Sequence, residues 1–234
     1  MVTFPGGLQG DAVIFDFDGV IVDTEPLHYR AFQRILEPLD LGFTWEQYVE
    51  TYMGFDDRDA FAEAFNTKGQ QISHEELTRL ITSKALIFQE VIRDGVTPYP
   101  GVVELITALH SAGVPLAICS GALHSDIMPI LEMLNISDCF GIVISADDVA
   151  KSKPDPECYR LAYEKLSARC SWAAITQSST IAIEDTPAGI AAAKGACLQV
   201  VAVTNSYPRE RISEAALIVS SLDELVDFHL TQHR

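Results

Sequence analysis

The strongest constraint on this chain is a rhythm. Short apolar runs at residues 12–15, 114–119, 142–144, 181–183 and 199–203 lack polar alternation, and segments of helical period at 102–112, 123–134, 156–166 and 187–194 lie between them. Apolar runs of that length suit strands buried on both faces of a parallel sheet, and the helical segments suit its crossovers. Alternating strand and helix therefore predicts an α/β fold, with a parallel sheet covered by helices on both sides.

One stretch departs from the rhythm. Residues 25–93 read as helix throughout, most clearly where Leu77, Leu80, Ile81, Phe88, Val91 and Ile92 fall on one face. The spacing predicts a small all-helical domain, residues 23–97, inserted after the first strand of a core made of 1–22 and 98–234, with the prolines and glycine of 97–101 suiting a hinge. The alternative is that these helices pack directly on the sheet. A second irregular stretch, 167–180, is longer than a usual helix-to-strand connection and has no functional reading.

Acidic residues outnumber basic ones by 33 to 16, a formal charge of −17, which disfavours general attraction to nucleic acid or anionic lipid. An anion bound by such a chain must be attracted locally. No window approaches the roughly 18 uninterrupted apolar residues of a membrane span, and the opening residues lack a basic, apolar leader. The expectation is a soluble, cytoplasmic protein without a nucleic-acid or membrane partner, as a monomer or small homo-oligomer. The five cysteines are scattered without a C-x-x-C pair, so buried free thiols are expected rather than disulfides or a thiolate metal site.

Within residues 13–25, VIFDFDGVIVDTE, two aspartates close an apolar run. A calcium loop fails here, because its first ligand would fall on Ile14 and it would require helix where 12–15 reads as strand. What remains is a strand ending in Asp16, then Asp18 and Gly19, at the carboxyl end of a parallel strand where sites form. Asp16 then reads as a carboxylate nucleophile and Asp18 as the acid/base, with an ordinary turn or cap as the alternative.

Three further strand ends bear on that choice. After the run ending at Cys119 come Ser120 and Gly121, a hydroxyl and backbone N–H groups suited to a phosphate oxygen, or simply a serine cap. Lys153, in KSKPDP, would neutralise a transferring phosphoryl group if it points to Asp16, and is otherwise a solvated charge; Asp155 is a plausible cap of the next helix. Glu184 and Asp185 end another buried run, and capping by Asp185 or Thr186 ahead of Pro187 accounts for one carboxylate but not both. With Asp16 they form an oxygen-rich set suited to Mg²⁺.

The order Asp16-x-Asp18-Gly19, Ser120-Gly121, Lys153-Pro154, Glu184-Asp185 resembles the four motifs of the haloacid dehalogenase-like (HAD) superfamily, over nearly the whole chain. DFDGVIVDTEPLH, KPDP and IEDTPAGIAAAKGA look like its branch with a helical cap, which holds β-phosphoglucomutase and small-metabolite phosphatases acting on phosphoglycolate and pentulose bisphosphates. The resemblance implies a Rossmann-like core, an aspartyl-phosphate on Asp16, acid/base work by Asp18, Mg²⁺ held by Asp16, the Asp18 carbonyl and Asp185 with Glu184 in or near that set, and phosphoryl oxygens held by Ser120 and Lys153. Dehalogenases of the family lack the second aspartate, so phosphoryl transfer is the implied chemistry.

The acceptor separates two activities: water gives a phosphatase, a sugar hydroxyl a mutase. Thr24, Glu25 and His28 follow the first motif, and a histidine at the position of His28 occurs in both groups. The mutase carries a cap arginine three residues after a glycine; here Gly54 is followed at that spacing by Asp57, with Arg58 one further on. His124 stands where the mutase has an asparagine. These departures favour a phosphatase of a small phosphorylated metabolite, with the mutase as alternative and a non-catalytic binding protein on the same fold as a further one. Arg58, His124 and Lys84 are candidates for the substrate's distal end, and each is otherwise a surface residue.

Overall fold

A computed structural model describes residues 1–53, 55–170 and 175–231. Its centre is a parallel six-stranded sheet ordered β5-β4-β3-β6-β7-β8, from β3 (Ala12–Phe15), β4 (Leu116–Cys119), β5 (Ile142–Ile144), β6 (Thr180–Glu184), β7 (Gln199–Val203) and β8 (Leu217–Val219).

All four residues of β3 are buried, and their alternation serves two cores. Val13 and Phe15 join the cluster on one face, with Leu105 and Leu109 of α5 (Val102–Ser111) and Ile127 and Ile130 of α6 (His124–Met133). Ala12 and Ile14 join the other, with Tyr159 and Leu166 of α7 (Glu157–Arg169) and Ile190 of α8 (Pro187–Gly195). Burial on both faces is why these strands read as continuous apolar runs. The chain leaves β3 for β4 and β5 on one side and returns to β6, β7 and β8 on the other, so strand order reverses at β3. Its carboxyl end is where such sheets open a crevice.

Between β3 and β4 the described residues run through α1 (Glu25–Leu36), a short α2 (Trp45–Gln47) that continues as a π-helical turn over Tyr48–Tyr52, α3 (Asp57–Asn66) and α4 (His74–Val91). Phe32, Leu36, Phe43, Tyr48, Phe61 and Leu80 form a cluster separate from the two sheet cores. Asp56 and Ser73 accept backbone N–H groups at the starts of α3 and α4. The two crossings between this layer and the sheet meet at an antiparallel bridge, Val22 to Pro98.

Two features were not anticipated from sequence. The edge strand β8 is short and only partly buried, and a small antiparallel sheet joins β1 (Val2–Thr3), β2 (Gln9–Gly10) and β9 (His229–Leu230) in the order β2-β1-β9. Pairings of two or three residues are too short to carry a periodic signal. In the 167–180 connection α7 extends to Arg169, and 171–174 lie outside the described residues. The cysteines are free, with Cys119, Cys158 and Cys170 buried but Cys197 exposed. Among the described residues no helix is long and apolar enough to cross a membrane.

Candidate active site

The four strand-end motifs converge. Asp16 follows β3 directly, is buried, and its N–H donates to the Ile183 carbonyl on the neighbouring strand at 2.9 Å. Lys153 Nζ donates to Asp16 Oδ1 at 2.8 Å, to Glu184 Oε1 at 2.7 Å and to the Cys119 carbonyl at 3.1 Å. The lysine therefore joins the ends of β3, β4 and β6. Burial opposes its charge, but Asp16 and Glu184 outweigh that and hold its pKa well above the ordinary lysine value.

Glu184 is fully buried and saturated. Oε1 accepts Lys153 and, at 2.7 Å, the Tyr159 hydroxyl; Oε2 accepts the N–H groups of Asp185 and Thr186 at 3.1 and 3.4 Å. Glu184, expected in or near the metal-binding set, also clamps Lys153. Thr186, rather than Asp185, caps α8 by accepting from Gly189 N–H at 3.0 Å ahead of Pro187. That releases Asp185, whose Oδ2 accepts from Ser206 while Oδ1 is buried without a partner.

Asp16, Glu184 and Asp185 offer oxygens within 4.8 Å of one another. Burial, then repulsion from Asp16 and Glu184, pushes the Asp185 carboxyl well above its usual range; burial does the same for Asp16 against the opposing pull of Lys153. Carboxylates crowded in this way beside one lysine, with an orphaned Asp185 oxygen, fit a hard divalent cation. Gly19 makes the approach feasible: its φ is +80°, and a Cβ there would overlap Asp185 Oδ2.

Asp18 lies one turn away from this cluster. Thr24, at the start of α1, turns its hydroxyl to Asp18 Oδ1 instead of capping its own helix, and His28 Nε2, one helical turn later, lies 3.4 Å from the same oxygen. Burial disfavours the ionised form, but the hydrogen bonds and charge of His28 and the Thr24 hydroxyl outweigh it and hold the Asp18 pKa below the ordinary value. Behind His28, Lys84 Nζ lies 2.7 Å from Nδ1 and 2.8 Å from Asp57 Oδ1.

The cleft between the sheet ends and the helical layer is lined by Asp16, Asp18, Gly121 and Lys153 below and by Glu25, His28 and Asp57 above. Gly121, Glu25 and His28 are among its lining residues. Ser120 is buried, its hydroxyl accepting Ala122 N–H at 3.0 Å. The three distal-end candidates are not among the residues lining this cleft. Lys84 is completely buried rather than exposed, because Asp57, His28 and the faces of Phe32 and Phe88 surround its ammonium. Arg58 turns aside, donating to Asp56 Oδ2 at 2.7 Å and to the Val149 carbonyl at 3.3 Å. His124 is exposed at the start of α6, outside the cleft lining. Gly54 lies outside the described residues.

Sequence reasoning missed Tyr159, Ser206 and the role of Asp57. Only Asp57 had a local signal, its spacing from Gly54.

The family model of haloacid dehalogenase-like hydrolases matches residues 13–203, a span that holds all four motifs. The chain belongs to the haloacid dehalogenase-like hydrolase family. It is an enzyme of that family. The phosphorylated carbohydrates phosphatase of Thermotoga maritima is 29% identical over 192 residues, covering 81% of this chain and 82% of that protein. CbbY from Rhodobacter sphaeroides, solved in complex with phosphate, superposes with a TM-score of 0.82 at 25% identity over 92% of this chain and 96% of that one. A β-phosphoglucomutase from Clostridium difficile superposes with a TM-score of 0.81 at 25% identity over 92% of each chain.

Proposed function

We propose that this HAD-like hydrolase is a Mg²⁺-dependent phosphatase of a small phosphorylated metabolite, working through an aspartyl-phosphate on Asp16, with residues 23–97 as a cap over the core. The observation that carries it is Lys153 Nζ, 2.8 Å from Asp16 Oδ1, with the separately held carboxylate of Asp18 lining the same cleft. One carboxylate beside a cation is suited to attack phosphorus; the other, held by Thr24 and His28, is suited to move a proton.

In the first step Asp16 attacks phosphorus, the ester oxygen leaves, and Asp18 protonates it. Arrival of the phosphate dianion favours the protonated form of Asp18, because a like charge raises a carboxylate's affinity for a proton. In the second step Asp18 takes a proton from water, which attacks phosphorus, freeing Asp16 and inorganic phosphate. Lys153 offsets charge on the phosphoryl oxygens, and N–H groups beside Ser120 and Gly121 orient them. Asp16, the Asp18 carbonyl and Asp185 would hold Mg²⁺, which supplies further charge neutralisation when bound.

The relatives support this reading, since the Thermotoga maritima protein is a phosphatase of phosphorylated carbohydrates. The engagement of Arg58 with Asp56 and Val149 weighs against a mutase that must grip a second phosphate. Phosphate release from a panel of phosphorylated sugars, glycolate and nucleotides, with and without Mg²⁺, tests it. Metal-dependent release that disappears in Asp16→Asn is expected. No release, together with conversion of β-glucose 1-phosphate to glucose 6-phosphate in the presence of a bisphosphate primer, would replace it with the mutase.

A further inference from the structure

Lys153 is carried by the connection from β5 to α7, residues 145–156, whose only regular piece is a single 3₁₀ turn over Ala146–Asp148. The core holds this loop at two places. The Asp148 carboxylate accepts the Ser145 N–H at 3.0 Å and the Ser145 hydroxyl at 2.9 Å, closing the 3₁₀ turn. Glu157, first residue of α7, accepts the N–H groups of Ala150 and Lys151 at 3.2 and 3.0 Å.

The residues on either side of that pair are held from the helical layer. Arg58 Nη1 donates to the Val149 carbonyl at 3.3 Å, and the Ser152 hydroxyl donates to Asp59 Oδ2 at 2.5 Å. Buried Asp56 braces both partners: its Oδ2 receives Arg58 Nε and Nη2 at 3.0 and 2.7 Å, and its Oδ1 receives the Asp59 N–H at 2.9 Å. Along the chain, the core therefore holds 150 and 151, the first turn of α3 holds 149 and 152, and Lys153 comes next. Loops with few buried contacts open locally at small cost, and a reacting group displaced by a fraction of an ångström loses much of its effect.

We propose that Arg58 and Asp59 are positioning residues: by holding the Val149 carbonyl and the Ser152 hydroxyl, they fix the loop from which Lys153 reaches Asp16. The helical layer then sets the place of the lysine as well as covering the cleft. Arg58 and Asp59 are not among the residues lining that cleft, so their effect passes through the loop. This deepens the phosphatase reading and rests on it for the role of Lys153.

The test pairs amide hydrogen exchange over residues 149–153 with steady-state kinetics of the full-length protein on 4-nitrophenyl phosphate with Mg²⁺. The variants are Arg58→Ala, Asp59→Ala, Ser152→Ala and the double variant Asp59→Ala with Ser152→Ala. Asp59 is exposed, the Arg58 side chain is 37% exposed and Ser152 is half-buried, so the fold should survive each change. Exchange at 150 and 151 is expected to rise about two- to tenfold, the factor given by the net worth of one hydrogen bond. The kcat should fall at least about fivefold with a smaller change in KM. Asp59→Ala and Ser152→Ala remove the same bond, so the double variant should match either one, and Ser152→Thr, which keeps the hydroxyl, should restore wild-type values. A fall in kcat without faster exchange, faster exchange with kcat unchanged, or no change in either would overturn the inference. Inertness of the wild type toward 4-nitrophenyl phosphate would instead remove the phosphatase reading beneath it, leaving the exchange rates to decide whether α3 holds the loop.

Discussion

The Tyr159 hydroxyl lies 2.7 Å from Glu184 Oε1, the same oxygen that receives Lys153 Nζ at 2.7 Å. Burial and then the Glu184 charge hold the phenol protonated, so it acts as a donor. Glu184 is thereby fixed from behind while it fixes the lysine beside Asp16. Tyr159→Phe is expected to reduce stability by about 1.5–3 kcal/mol, the range for a hydrogen bond to a charged group. Its kcat should fall several-fold with KM nearly unchanged, as steady-state kinetics on one phosphomonoester would show.

Gly189 lies in the first turn of α8, where alanine would ordinarily improve helix stability by about 1 kcal/mol. A Cβ at this position overlaps the Glu184 carboxylate, and that carboxylate cannot swing aside because donors hold both oxygens. Overlap should outweigh propensity. Gly189→Ala is expected to lose about 1–3 kcal/mol in denaturant unfolding.

Asp126 is buried on α6, 4.0 Å from Lys84, and burial raises its pKa from 3.8 to about 6 against the pull of Lys84. Between those values the folded protein holds the proton more tightly than the unfolded chain does. This group's contribution to stability is therefore greatest below about pH 4, is lost as pH rises to about 6, and is flat above. The full change is about 3 kcal/mol at about 1.4 kcal/mol per unit. Unfolding free energies of wild type and Asp126→Asn from pH 4 to 7 should diverge by that slope, with the variant gaining relative stability as pH rises.

Lys84 has its side chain 1% exposed and Asp57 and Asp126 on two sides. Removing a buried ion-pair partner leaves unpaired charge, at a cost of about 3–5 kcal/mol. Lys84→Met should therefore be severely destabilised at pH 7, and adding Asp57→Asn and Asp126→Asn should recover much of the loss in thermal unfolding.

The crowded pair Asp16 and Asp185 predicts linkage between cation binding and folding. Mg²⁺ at about 100 times its dissociation constant should stabilise wild type by about 2.7 kcal/mol. Asp185→Asn, which relieves the repulsion and removes a ligand, should respond little to Mg²⁺ in the same thermal-shift titration.

The readable parts of the site were those in which chemistry-bearing residues sit directly against a strand end. Asp16, Ser120 and Glu184 follow or close buried runs, so a correct strand assignment placed them together. The less readable parts are polar groups on helices and in the turn after β7. Lys84 lies 56 residues from His28, and Ser206 lies 21 from Asp185. A lysine on a helix with charged neighbours gives no local sign that a phenylalanine from another helix will cover it.

By itself the sequence determined the α/β architecture and the set of residues at the strand ends, because burial on both faces and helical period are properties of local segments. Tertiary structure alone decided that Glu184 clamps Lys153 instead of standing free, that Arg58 turns to Asp56, and that Asp57 pairs with Lys84. Those outcomes depend on which donor reaches a carboxylate across the fold, and a hydrogen bond about 3 Å long is set by the packing of whole helices rather than by neighbours along the chain.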